Sequence, residues 1–171
     1  TFICDPHWVK KAEEGRSNEI RRCIGCLNCI RSFMTNAWVG KAGECALNMS
    51  MGREEEFFNM PQDGEGRHIV VIGAGPAGLT AAHTLLHRGF KVTVIEKDEK
   101  PGGQVITAST CHLKGKLYWA IEDLMTNVAK LGGEVKLGCD MTAEQIAEMK
   151  PYAVVVATGG TPIRPKSIPG I

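Results

Sequence analysis

His68-Ile69-Val70-Val71-Ile72-Gly73-Ala74-Gly75-Pro76-Ala77-Gly78 is a run of apolar β-branched residues that empties into G-x-G-x-x-G. That order predicts a buried parallel strand followed by a tight turn. Leu79 to Arg88 then carries apolar residues at helical spacing, and Gly89 closes the helix because it tolerates positive φ. A second β-branched strand, Lys91 to Ile95, ends on Glu96. Each glycine has its own task. Gly73 permits the turn, Gly75 lets backbone approach a pyrophosphate, and Gly78 lets helix pack against strand. The helix N-terminus at Pro76-Ala77 offers unpaired N–H groups and a partial positive charge to phosphates. Glu96 lies 18 residues past Gly78, where its carboxylate can accept hydrogen bonds from ribose hydroxyls. The rival reading is a glycine-rich turn that holds no ligand. It explains neither the flanking strand and helix nor the acid. The Glu96-Lys97 pair favours a plain ribose and leaves a 2′-phosphate, and so NADP, open.

Beyond Glu96 the chain turns at Pro101-Gly102-Gly103-Gln104, a second place where backbone can approach a ligand. Lys116 to Leu131 predicts an amphipathic helix with Leu117, Ala120, Ile121, Leu124, Val128 and Leu131 on one stripe. Val135 to Leu137 predicts a short strand, and Thr142 to Met149 a short helix capped by Thr142. Tyr152 to Ala157 is a strongly apolar strand that runs into Thr158-Gly159-Gly160. Glycines at the carboxyl end of a parallel strand lie where ligands bind, although an ordinary turn reads the same way. The fold class is α/β: a partial Rossmann-like domain with a parallel sheet, preceded by a loop-rich and helical segment.

That preceding segment is read from its thiols. Ala12 to Ile20 has helical character. Then Arg21-Arg22-Cys23-Ile24-Gly25-Cys26-Leu27-Asn28-Cys29 sets three cysteines in seven residues, and Cys45 follows 16 positions later. Three close thiols and one remote thiol suit a 4Fe–4S cubane, which needs one thiolate at each of four corners. Structural zinc takes two separated C-x2-C pairs, and only one is present, so zinc and inert thiols are the lesser alternatives. Arg21, Arg22, Arg31 and Lys41 would offset the cluster's negative charge. Cys4, Cys111 and Cys139 stand alone in sequence and receive no role. Arg53 to Gly66 reads as a polar linker, with Glu54-Glu55-Glu56 as a solvated face.

Composition bounds the rest. The 171 residues carry a formal charge of +1 and no basic stripe, which gives nucleic acid nothing to hold. No apolar stretch approaches the ~20 residues of a membrane span. Seven cysteines without a secretory signal point to a reducing, cytoplasmic setting. His83 and His87 share a helix face and read as a surface pair, since no third ligand falls at matching spacing. There is no Ser-His-Asp order, no paired catalytic carboxylates and no nucleophile elbow, so no catalytic residue is assigned.

The cysteine segment followed by the glycine loop resembles the C-terminal half of the NADH:flavin oxidoreductases that carry flavin and a 4Fe–4S cluster. That family includes 2,4-dienoyl-CoA reductase and trimethylamine dehydrogenase. The resemblance runs from Cys4-Asp5-Pro6 and Arg21-Arg22-Cys23-Ile24-Gly25-Cys26 through Val71 to Gly78, Glu96-Lys97, Gly102-Gly103-Gln104 and Ala157-Thr158-Gly159 to Ile168-Pro169-Gly170. It implies that Cys23, Cys26, Cys29 and Cys45 ligate the cluster. It implies FAD against Gly73, Gly75, Gly78, Glu96, Gly103, Gln104 and Gly159, with Ala74, Pro76, Ala77, Lys97 and Thr158 completing the cofactor-binding set. In the reductases electrons pass from NAD(P)H through FAD and the cluster to FMN in a TIM barrel, which reduces an enoate or enoyl-CoA type substrate. In the amine dehydrogenases they flow outward from FMN, and this domain holds ADP in place of FAD.

The resemblance also implies an organisation. Residues 1–66 form the iron–sulfur segment and linker, 67–160 an incomplete FAD- or ADP-binding domain, and 161–171 the start of a connection onward. The FMN barrel and the NAD(P)H domain are expected in the remainder of a longer chain, of which this is an internal piece, inactive alone. That remainder is the expected partner. Homo-oligomerisation is open for the full-length protein, and neither nucleic acid nor a membrane is expected.

Overall fold

The computed structural model describes residues 2–161, 163 and 167 of the chain. The readings placed on Ile168-Pro169-Gly170 and on most of 161–171 lie outside the described residues.

Four parallel strands form the centre: β1 (His68–Ile72), β2 (Lys91–Ile95), β3 (Glu134–Lys136) and β4 (Ala153–Val156), in the order β3-β2-β1-β4. Val70 and Val71 are fully buried in the middle of β1, as a parallel strand covered on both faces requires. Alternate residues serve opposite faces. On one face Ile69, Val71, Val92 and Val94 pack with Leu79, Ala82, Ile121 and Val128 from α4 (Pro76–His87) and α6 (Trp119–Lys130). On the other Val70 and Ile95 pack with Ile146 of α7 (Ala143–Glu148). Thr142 caps α7 in a capping box with Gln145.

The remaining helices are α1 (Trp8–Glu13), α2 (Asn28–Asn36), α3 (Glu54–Phe58) and α5 (Gln104–Ser109). Two expectations change. The helix expected over Ala12 to Ile20 is instead α1 and a separate turn at Ser17–Glu19, because Gly15 takes φ 70° between them. The linker folds locally into α3, with Glu54, Glu55 and Glu56 in its first turn where the helix dipole favours acids. The strongly apolar β4 is an edge strand whose Val154 and Val156 stay exposed. No helix among the described residues is long and apolar enough to cross a membrane.

Candidate functional site

At the carboxyl ends of β1 and β2 the chain builds a cradle from the glycine loop. Gly73 leaves β1 at φ 105° and its N–H donates to the Ile95 carbonyl at 2.7 Å. A Cβ at Gly73 would lie 2.4 Å from the Ala157 carbonyl oxygen, and one at Gly78 only 1.9 Å from the Gly73 carbonyl oxygen. These two glycines therefore serve packing. A Cβ at Gly75 would meet no protein atom within 4 Å. Gly75 is the N-cap of α4 and Pro76 its first residue. The Leu79 N–H is bonded to the Gly75 carbonyl, so the amides of Ala77 and Gly78 have no acceptor within the helix. Open space at Gly75 thus faces a helix N-terminus suited to an anion.

Glu96 closes one side. It is 7% exposed, and its Oε2 accepts the Ala74 N–H at 2.7 Å while Oε1 accepts the Asp98 N–H at 3.1 Å. Each oxygen keeps a further lone pair for a hydroxyl donor. On the other side the Gly102 N–H donates to the Ala74 carbonyl at 2.8 Å, which draws Gly103 against Gly75. Gln104 Nε2 then donates to the Gly160 carbonyl at 2.8 Å, tying α5 to the loop after β4.

The cavity is about 610 Å³, within the usual range for small-molecule sites. Of the residues expected on the cofactor, Gly73, Gly75, Pro76, Ala77, Glu96, Lys97, Gly103, Gln104, Thr158 and Gly159 line it. Ala74 and Gly78 do not. Both are buried beneath the cradle, Ala74 with its amide held by Glu96 and its carbonyl by Gly102. Cys139, Asp140, Met141 and Ile146 also line the cavity, and sequence reasoning missed them. Their signal was available: they follow β3, at the same carboxyl edge of the sheet.

The cysteine segment is pinned to this domain. Arg22, next to Cys23, sits across from the buried Asp123 of α6. Its backbone N–H donates to Asp123 Oδ2 at 2.7 Å, and its guanidinium to Asp123 Oδ1 and to Glu122. The guanidinium also lies over the Trp119 ring, 5.1 Å from its centroid. Gly25 and Leu27 take positive φ, which turns the thiol-bearing loop sharply before α2. Ser32 Oγ accepts the Glu44 N–H at 2.8 Å, fastening the residue before Cys45 to the first turns of α2. Cys23 and Cys26 are exposed, and Cys29 and Cys45 are half-buried. Four cysteine thiolates are donors of the type an iron–sulfur cluster takes. The side chains themselves are not assembled: among the described residues no three of His, Cys, Asp and Glu are grouped as a metal would need. Cys4, read as standing alone, is instead buried near Cys45 and Cys23. Its burial and those two thiols push it up to about 12, against the opposing charge of Arg21.

The histidine pair lies at the surface as expected, with His87 exposed and His83 half-buried. Nε2 of His83 and Nε2 of His87 are 3.3 Å apart and face a second cavity of about 550 Å³ beneath the N-terminal segment. Burial, then the neighbouring His87, Arg21 and Lys11, push His83 down to about 4. Burial and Arg21 lower His87 as well.

Residues 67–171 match the family model described as pyridine nucleotide-disulphide oxidoreductase. The chain is 39% identical over 166 residues to NADH oxidase of Thermoanaerobacter brockii, covering 96% of this chain and 25% of that protein. Its structure superposes on a 2-naphthoyl-CoA reductase with TM-score 0.86 and 31% identity, over 96% of this chain and 25% of that one. Histamine dehydrogenase of Rhizobium sp. 4-9 gives TM-score 0.81 and 30% identity, over 95% and 24%. The chain therefore spans about a quarter of the length of the relatives it matches.

Proposed function

The chain belongs to the pyridine nucleotide-disulphide oxidoreductase family, and on that premise we propose that it is the electron-transfer part of a flavin- and 4Fe–4S-dependent oxidoreductase. In this reading electrons pass between NAD(P)H and FAD on one side and an FMN barrel on the other, and the barrel reduces an enoate or enoyl-CoA type substrate. The observation that carries it is the open space at Gly75, bracketed by Glu96 and Gln104, in a domain to which Arg22 and Asp123 fasten the cysteine loop. FAD and the cluster, when bound, supply the hydride and single-electron chemistry. The chain's own residues bind and orient. The free amide of Ala77 at the N-terminus of α4 would hold the diphosphate, and Glu96 would take the ribose hydroxyls. Cys139, Met141 and Ile146 would offer the adenine an apolar wall. Cys23, Cys26, Cys29 and Cys45 would supply the four thiolates, with Arg22 adding positive charge beside them. The partner this needs is the remainder of its own chain, with the barrel and the NAD(P)H site, in a cytoplasmic enzyme.

A second reading is ADP held structurally in the same cradle, as in amine dehydrogenases. It is favoured by the loop amides at Gly75 and Ala77 and by Glu96, which suit the diphosphate and ribose that ADP and FAD share. Anaerobic purification of the full-length protein, with metal analysis, EPR and identification of the nucleotide released on denaturation, tests both. About four irons and one FAD per chain support the first reading, and ADP in place of FAD supports the second. Colourless protein with about one zinc defeats the cluster.

A further inference from the structure

We propose that the cavity between the N-terminal segment and helices α4 and α6 binds a small amphiphilic anion, a phosphate or carboxylate on an apolar body, with Arg21 and the His83–His87 pair as its polar wall. This cavity, about 550 Å³, shares no lining residue with the nucleotide cradle, so it is a separate site.

Charge is the first argument. The Arg21 guanidinium donates through Nη1 to the carbonyls of Cys4 and Leu47, at 3.3 and 2.9 Å, and carbonyls neutralise no charge. Among the described residues no carboxylate pairs with that guanidinium. The nearby carboxylate of Asp5 is already committed to Lys11 at 2.7 Å and to the Arg21 backbone N–H at 2.8 Å. Glu19 is likewise shared between two cations, Arg16 and Lys130. The wall of the cavity therefore carries surplus positive charge in a partly desolvated place, where a bound anion gains most.

The histidines report the same field. Both are held below the usual imidazole range by burial, and Arg21 adds to the effect on each. They are therefore neutral at physiological pH, and because their Nε2 atoms share one hydrogen bond, the pair keeps one N–H to give. The same field repels a metal ion from the His83–His87 nitrogens. Facing this polar wall are Met49, Phe57, Phe58 and Met60, apolar side chains that a bare ion leaves uncovered. An anion with an apolar body uses both walls.

The test uses the full-length protein saturated with its nucleotide, so that the glycine loop is filled. Thermal unfolding is followed against inorganic phosphate and against hexyl phosphate, with ionic strength held by chloride. Both phosphates are expected to raise the midpoint beyond the chloride control, hexyl phosphate at a lower concentration because each buried methylene adds affinity. Arg21→Gln is expected to weaken hexyl phosphate about tenfold, the loss of one charge-assisted hydrogen bond. His87→Gln, at an exposed position that should not disturb folding, is expected to weaken it by several-fold. Absence of any shift, equal shifts in wild type and His87→Gln, or equal affinity for the two phosphates would overturn the proposal. So would stabilisation by zinc but not by phosphate.

Discussion

The Glu96 carboxylate accepts the Ala74 backbone N–H at 2.7 Å, across 22 residues of chain, and so fixes the second residue of the glycine loop from the end of the neighbouring strand. The acid therefore shapes the loop before any ligand arrives. Glu96→Gln keeps one acceptor oxygen and turns an NH2 group toward a backbone N–H, leaving a buried donor unpaired. It should cost about 1–3 kcal/mol of stability and weaken nucleotide binding about tenfold. Chemical denaturation without nucleotide separates the two effects. Unchanged stability would mean that Glu96 serves the ligand alone.

Gly75 and Gly78 of the loop should respond differently to one added methyl group. Gly78→Ala places a Cβ 1.9 Å from the Gly73 carbonyl and forces helix from strand. It should cost about 1–3 kcal/mol or more. Gly75→Ala adds its Cβ to open space at φ −75° and should leave the nucleotide-free melting temperature nearly unchanged. A Gly75→Ala protein as unstable as Gly78→Ala would show that the cradle is not open.

The sheet and its glycine loop were legible because period and punctuation agree there. The limits of β2, Lys91 to Ile95, and the stop at Gly89 follow directly from β-branched runs and a positive-φ glycine. The first helix was misplaced because its side-chain pattern continues through Gly15 while the backbone does not. α5 was invisible because it is six residues long and starts from Gly103, which reads as turn. Two further features are tertiary facts with no local signature. Cys4 lies near Cys45 because Asn48 and Arg21 hold the carbonyls of Ile3 and Cys4, and His83 is half-buried because the N-terminal segment covers it.

The Arg22–Asp123 contact carries its own prediction. Asp123 is 8% exposed and accepts both the backbone and the guanidinium of Arg22. Asp123→Ala should cost about 1–3 kcal/mol, since the backbone N–H and guanidinium of Arg22 lose their buried acceptor and only Glu122 remains as counter-ion. The loosened cysteine loop should become the first site of limited proteolysis. Cleavage between residues 20 and 30 at the wild-type rate would show that the contact does not hold the loop.

His83 sets a pH dependence. Its folded pKa is about 4, against the ordinary value of 6.5, so between those values the unfolded chain binds more protons than the folded one. Stability should therefore be highest above pH 6.5 and fall as pH drops toward 4, by up to about 1.4 kcal/mol per pH unit in that window. His83→Gln should flatten this part of the profile. An unchanged acid limb in the variant would assign the loss to another group.

The most direct measurement is nucleotide content per chain, released by denaturing the full-length wild type and Gly75→Val side by side, with circular dichroism to confirm equal folding. The cradle predicts about one adenine nucleotide per wild-type chain and essentially none in Gly75→Val, whose side chain fills the open space at the loop. A wild type without nucleotide, or a Gly75→Val protein retaining as much as wild type, would contradict it.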